Sequence, residues 1–511
     1  MKRSIKLFAF SLALLILSIS LASCSGGMKN DAFAPNKEQA GADGYENLYG
    51  NVISPKPEAD GDALPENGFR ENPFIATAEN PVSTFSADVD TASYSYFRKL
   101  VNQNYALRDV MNSGTSFRTE EFINYFKYDA AQPADGELFG VTSEIVNCPW
   151  NANTVLMRLT LQAETAVEST GNNLVFLIDV SGSMSSSDKL PLLKRSFSNL
   201  VGHLTENDVI SIVTYSGKEE VVLDGCAGNQ SERIMNAINS LKASGSTNGE
   251  AGLEKAYQLA EIHRIEGGNN RIIMASDGDL NVGISSLSEL TNYITQKREA
   301  GVYLSVLGFG TGNYRDSKME ALADNGNGVY YYIDGDSEAE KVLGLDLLST
   351  LYTVAKDVKL QLTFEPQYVA SYRLIGYENR ILNEEDFRDD TKDAGEVGAG
   401  HQVTVCYELT LAEGARASTE PWMNLGVVYK LPTESASLPP NNYSIGASSL
   451  NAEPSADMQF IACLIQTTMI LHNSQYLQEM TLGAVLEQLQ ALDLTDHHDR
   501  AEFRSLIERL I

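Results

Sequence analysis

Apolar residues change their spacing twice along this chain, and the changes divide it. In the middle, short apolar runs at residues 174–178, 209–215, 272–275, 303–308 and 329–333 predict strands covered on both faces. Between them, apolar positions recur at three- and four-residue intervals over 190–204, 231–242, 250–263 and 287–300, the period of a helix with one buried stripe. Strand and helix alternating in this way imply right-handed crossovers. The predicted architecture is therefore α/β, a doubly wound parallel sheet covered on both sides.

On either side of this unit the period falls to two. Residues 141–146 and the series Val155, Met157, Leu159, Leu161 read as half-buried strands, as do Val358, Leu360, Leu362 and Val403, Val405, Tyr407. The turn signal Gly398-Ala399-Gly400 precedes the last series. We expect these strands, from before and after the centre, to share one β-rich, sandwich-like domain into which the α/β unit is inserted. Helical spacing at 96–104, 119–126 and 337–355 adds connecting helices. That at 458–471, 482–492 and 500–511 predicts C-terminal helices of the core and not of a membrane surface.

The N-terminus follows another logic. Lys2, Arg3 and Lys6 precede an apolar run at 7–19 that leads into Leu21-Ala22-Ser23-Cys24. This is the layout of a signal peptide over 1–23, and its end resembles a bacterial lipobox, in which cleavage exposes the cysteine for lipid attachment. Acyl chains on Cys24 would anchor the protein, since each buried methylene adds roughly 0.8 kcal/mol. Residues 24–80, rich in Gly, Ala, Pro, Asn and acids, are expected to form a lipid-anchored flexible tether. The segments then read as an N-terminal extension at 81–171, the α/β unit at 172–336 and a β-rich and helical remainder at 337–511. No later stretch is long and apolar enough to span a bilayer.

Composition narrows the function. With 511 residues, 43% of them hydrophobic, the chain is long enough for several domains with a substantial core. A formal net charge of -30 argues against nucleic acid and against docking on anionic headgroups. Cys148, Cys226, Cys406 and Cys463 are too far apart for a metal-ligand pattern and allow three full pairings, of which none is expected over free thiols.

The candidate chemistry begins where the strand at 174–178 ends, in Leu-Ile-Asp-Val-Ser-Gly-Ser-Met from Leu177 to Met184. Asp179, Ser181 and Ser183 stand at alternate positions, and a helical pattern starts at about Lys189. Hard divalent cations take oxygen ligands, and Mg²⁺ keeps several positions for water or a partner. Two further fragments suit the same shell. Gly245-Ser246-Thr247-Asn248-Gly249 offers a hydroxyl in a glycine-bounded loop, and the strand at 271–275 ends in Ser276-Asp277-Gly278-Asp279. Ligands of open parallel sheets gather beyond the carboxyl ends of the strands, which would bring Asp179 and Asp277 together. Asp188, shortly before Pro191, reads as a helix cap and Asp279 as a solvated loop acid. Asp88 and Asp90 read as strand-to-helix caps in preference to a second cation loop.

D-x-S-x-S, a loop threonine and an Asp-Gly after a strand together resemble the metal-ion-dependent adhesion site of von Willebrand factor type A domains. The resemblance implies direct hydroxyl ligands from Ser181, Ser183 and Thr247, with Asp179 and Asp277 acting largely through bound water. It further implies Mg²⁺, or Mn²⁺ or Ca²⁺, with one position open to a partner's carboxylate. The segments 85–126, with Glu120-Glu121-Phe122-Ile123-Asn124-Tyr125-Phe126, and Gly376-Tyr377-Glu378-Asn379-Arg380 with Asp393-Ala394-Gly395-Glu396 resemble bacterial lipoproteins that carry one such domain between characteristic extensions. The expected molecule is a non-enzymatic, metal-dependent protein-binding lipoprotein, tied to a bacterial membrane through Cys24 on its extracytoplasmic side. One alternative is a scaffold or assembly factor for a membrane complex or partner ATPase. The other is a metal-dependent hydrolase, against which stands the lack of a nucleophile–base pair, His203 and His263 lying in helix patterns.

Overall fold

Leu174, Phe176 and Ile178 face one side of their strand and Val175 and Leu177 the other, and each set is fully buried in a different apolar cluster. The alternation that would leave an exposed strand half polar is here apolar at every position, because helices cover both faces. The computed structural model describes residues 70–511 apart from 114–115, 166–169, 247–248, 279–286, 311–315, 347–348, 350–351 and 433. All of them belong to one of the two units of the chain, Leu48–Ile511. The signal peptide, Cys24 and most of the tether expected from the sequence lie outside the described residues.

The central sheet has six strands in the order Tyr330–Ile333, Tyr303–Phe309, Asn269–Ser276, Asn172–Asp179, Val209–Tyr215, Glu219–Ala227. The first five run parallel, so their carboxyl ends line one rim. These are the five strands expected from the sequence; a sixth that the spacing does not indicate, Glu219–Ala227, pairs antiparallel with Val209–Tyr215. Only a tight turn separates the two, closed by Ser216 N donating to Lys218 O at 3.2 Å. A connection that short permits only an antiparallel neighbour. Helix Leu190–Val201 packs Leu193, Phe197 and Leu200 on one face, and helix Gly249–Ile262 packs Leu253, Tyr257 and Ala260 on the other. Burying each leucine or phenylalanine among them contributes about 1.5–3 kcal/mol.

The expected sharing of strands across the insertion is found. Val155–Ala163 pairs with Gln402–Leu411, Leu159 opposite Val405, and Val82–Ser86 pairs with Thr353–Phe364, Phe85 opposite Leu360. Two antiparallel sheets result, and Phe85, Leu159, Leu360, Tyr407 and Trp422 fill the space between them. The helix expected over 337–355 is shorter. It runs Asp336–Lys341, continues as a wider turn over Val342–Asp346, and the chain is already a strand at Thr353. Pairing of Thr353 with Gly398 and of Ala355 with Val397 outweighs the helical spacing there. The C-terminal helices Ala456–His472, Leu482–Ala491 and His498–Leu510 pack with the N-terminal helix Ala92–Asn102 in the cluster that also covers one face of the central sheet. Among the described residues no helix is long and apolar enough to cross a membrane.

Candidate functional site

Strand register builds the site. Asp179 lies opposite Tyr215 on one neighbouring strand, and Ile178 lies opposite Ala275 on the other. Asp179 therefore stands beside Ser276, with Asp277 one residue beyond, across a strand spacing of about 4.8 Å. Both acids are almost wholly buried, at 0% and 1% exposure. Tyr215 reports their convergence: burial pushes its phenol well above the ordinary value, and Asp179 and then Asp277 add to the shift.

The serines are placed by the turn at the end of that strand. Asp179 Oδ1 accepts from Ser181 N at 2.7 Å, an acid at a strand end fixing the backbone two residues on. Ser181 and Ser183 share a hydrogen bond, Oγ to Oγ 2.9 Å. That separation is close to the ~3.0 Å edge of an octahedron whose oxygens sit ~2.1 Å from Mg²⁺. The glycine-bounded loop is sewn to the same turn, with Ser244 N donating to Val180 O at 2.7 Å and Gly182 N to Gly245 O at 3.0 Å. Thr247, two residues past Gly245, lies outside the described residues, as does Asp279. The structure thus brings together Asp179, Ser181, Ser183 and Asp277.

The donor set fits a hard cation. It is all oxygen, two carboxylates and two hydroxyls, and it lies at the rim where five strands end. Among the described residues no group of three or more His, Cys, Asp or Glu could hold a metal. A site of this kind needs no such group, because hydroxyls supply part of the shell. Sequence reasoning missed Lys189, whose Nζ lies 2.7 Å from Asp277 Oδ2. Its partner is 88 residues away, so no local spacing could have revealed the pair.

Asp188 is not the expected helix cap. Lys189 occupies that position without a side-chain cap, while Asp188 accepts from Ser186 Oγ at 2.6 Å and from Lys99 Nζ at 3.0 Å. Against partial burial, the Ser186 hydroxyl and the Lys99 ammonium hold its pKa below the usual carboxylate value. Asp88 and Asp90 form neither caps nor a cation loop. Arg380 reaches both at 3.2 Å and Asp324 at 2.9 Å, and Asp90 Oδ1 also accepts from Tyr330 N. His263 lies away from the site, 2.6 Å from Asp224, and His203 is exposed. The four cysteines within the described residues are free and buried, and burial pushes Cys148, Cys406 and Cys463 up to about 12.

The two flanking motifs meet. Asn379 donates to Glu320 at 2.8 Å, and Arg118 pairs with Glu320 and with Glu121 of the other motif. Gly376, with φ of 76°, brings its backbone against Glu120, where a Cβ would collide with the carboxylate. These stretches hold the sandwich, the N-terminal extension and the central unit together.

Residues 173–345 match the family described as von Willebrand factor type A domain, residues 66–158 that described as von Willebrand factor, and residues 349–511 that described as uncharacterized protein YfbK, C-terminal. The chain is 40% identical to uncharacterized protein YfbK of Escherichia coli (strain K12) over 469 residues, 86% of this chain and 80% of that protein. It is 27% identical to inter-alpha-trypsin inhibitor heavy chain H3 of Homo sapiens over 270 residues, 48% of this chain and 29% of the other. A solved structure, von Willebrand factor type A from Catenulispora acidiphila, aligns over 75% of this chain and 88% of its own with 16% identity and a TM-score of 0.42.

Proposed function

The chain belongs to the YfbK family and its centre is a von Willebrand factor type A domain; from that premise we propose that it is a metal-dependent protein-binding lipoprotein of the bacterial envelope. A divalent cation, Mg²⁺ in the first instance, is held by Ser181, Ser183 and Thr247, with Asp179 and Asp277 behind it. The cation supplies Lewis acidity toward an acidic side chain of a partner protein. Ser181 and Ser183 present two oxygens at fixed separation, and Asp179 holds the turn that carries them. The observation that carries this reading is the meeting of those four residues at adjacent strand ends.

Calorimetry with Mg²⁺ or Mn²⁺ tests the ion. Binding by the wild type and its loss in Ser181→Ala with Ser183→Ala support the reading, and binding that survives both places the ion elsewhere. Crosslinking in the native envelope, wild type against Asp179→Ala, identifies the partner that depends on the site. Turnover of a substrate that requires Mg²⁺ would instead favour a hydrolase. Attachment is proposed through acylated Cys24. Cys24→Ser should move the processed protein to the soluble extracytoplasmic fraction, and continued tight membrane association would overturn the lipid anchor.

A further inference from the structure

Lys189 is held as firmly as the residues proposed to bind the cation. Its backbone N donates to Ser186 O at 3.1 Å, and the preceding Asp188 is fixed by Ser186 and Lys99. Its stem crosses Gly310 at the end of strand Tyr303–Phe309, where a Cβ would collide with the lysine Cε. Gly310 has φ of 72°, so both its backbone and its bareness make room for this side chain. The ammonium is thereby delivered from the start of the helix that follows strand Asn172–Asp179 to a carboxylate at the end of the neighbouring strand, Asn269–Ser276. Lys189 is 9% exposed and Asp277 1%, so their attraction is little screened by solvent.

We propose that Lys189 is a tethered cation that makes the metal-loaded site demand a carboxylate. This inference rests on the proposed metal binding, and charge balance carries it. The formal charges of Asp179, Asp277 and Lys189 sum to one negative charge. A divalent ion converts that to a single positive charge, and one incoming carboxylate brings the filled site to neutrality. Without the ammonium, the ion alone would neutralise the two aspartates, and an incoming carboxylate would leave the filled site with a net negative charge. Lys189 therefore weakens the hold on the metal and strengthens the hold on the acid. The ligand class that this selects is a singly charged carboxylate, an aspartyl or glutamyl side chain, over a neutral amide or hydroxyl.

The test uses the full mature chain with Mn²⁺ as the metal and acetate as the acid. Free Mn²⁺ is followed by electron paramagnetic resonance, and acetate entry by the fall in water-proton relaxation as it displaces metal-bound water. In Lys189→Met, which keeps the stem, Mn²⁺ should bind on the order of tenfold or more tighter, and acetate on the loaded protein correspondingly weaker. Lys189→Arg retains the charge and should return both affinities toward the wild type. Lys189→Gln is the second neutral variant, and near-ultraviolet circular dichroism verifies the native fold of each. Unchanged or weaker Mn²⁺ binding in both folded neutral variants overturns the proposal, as does unchanged acetate binding. Failure of the wild type to bind Mn²⁺ overturns the metal reading itself, a distinguishable result.

Discussion

Two of the places where the described residues gather carboxylates are neutralised differently. At the junction of sandwich, extension and central domain, Arg380 spans Asp88, Asp90 and Asp324, while Arg118 pairs with Glu121 and Glu320. At the strand-end rim, Asp179 accepts from the Ser181 backbone N, the Ser181 and Ser183 hydroxyls bond each other, and Lys189 pairs with Asp277. A guanidinium is planar, always charged and forks to several oxygens at once, so it closes a cluster permanently. An ammonium is a point charge on a flexible stem, and hydroxyls are neutral oxygens that a metal can use. The first arrangement fixes domains in place. The second leaves two neutral hydroxyl oxygens beside acids that hold only one ammonium, and that difference, more than acidity itself, separates a structural cluster from a candidate site.

Breaking the junction should have the largest effect. Arg380→Met strands three carboxylates, and removing one side of such a buried set costs about 3–5 kcal/mol. Urea denaturation should register that loss, and a midpoint within experimental error of the wild type would show that the fork holds nothing together. The rim should behave oppositely. Ser183→Ala removes one hydroxyl from a half-buried turn, so stability should change by less than about 1 kcal/mol while Mn²⁺ binding falls at least tenfold. Comparable losses in both measurements would erase the distinction between junction and rim.

A smaller effect concerns pH. Burial raises the pKa of Asp90, Asp88 adding to it, and burial likewise raises Asp324, Arg380 opposing in both cases. Glu396, where the sandwich meets the central domain at Asn327, is raised by burial from 4.5 to about 7. An acid whose folded pKa exceeds its unfolded one binds its proton more tightly in the folded state. Its contribution is complete below the unfolded value and is lost as pH rises through the folded value. Stability should therefore decline between about pH 4.5 and 7 on account of Glu396. Glu396→Gln should flatten that decline in thermal melts, and an unchanged slope would assign it to other groups.

Much of this arrangement is legible in the sequence where cause and effect are local. Apolar runs such as 174–178 mark strands because both faces of the sheet are covered, and D-x-S-x-S with Asp277 stands out because strand ends are where polar residues begin. The edge strand Glu219–Ala227 escapes notice because its exposed acids and irregular register weaken its period. Asp88 and Asp90 read as caps because capping is the local use of such acids, whereas their partner Arg380 is 290 or more residues away. Lys189 is hidden for the same reason: at the start of a helix a lysine looks like surface, and only the sheet's register carries Asp277 to it. That the expected helix gives way to a strand by Thr353 reflects pairing with Val397 and Gly398, which spacing within one segment cannot reveal.

The most direct measurement is anomalous diffraction at the manganese edge from crystals of the full mature chain soaked in Mn²⁺. The proposed site predicts one peak at the strand-end rim, within about 2.1–2.3 Å of the Ser181 and Ser183 hydroxyl oxygens, with Thr247 and waters completing the shell. A peak elsewhere, or no peak at the rim under saturating Mn²⁺, would contradict it.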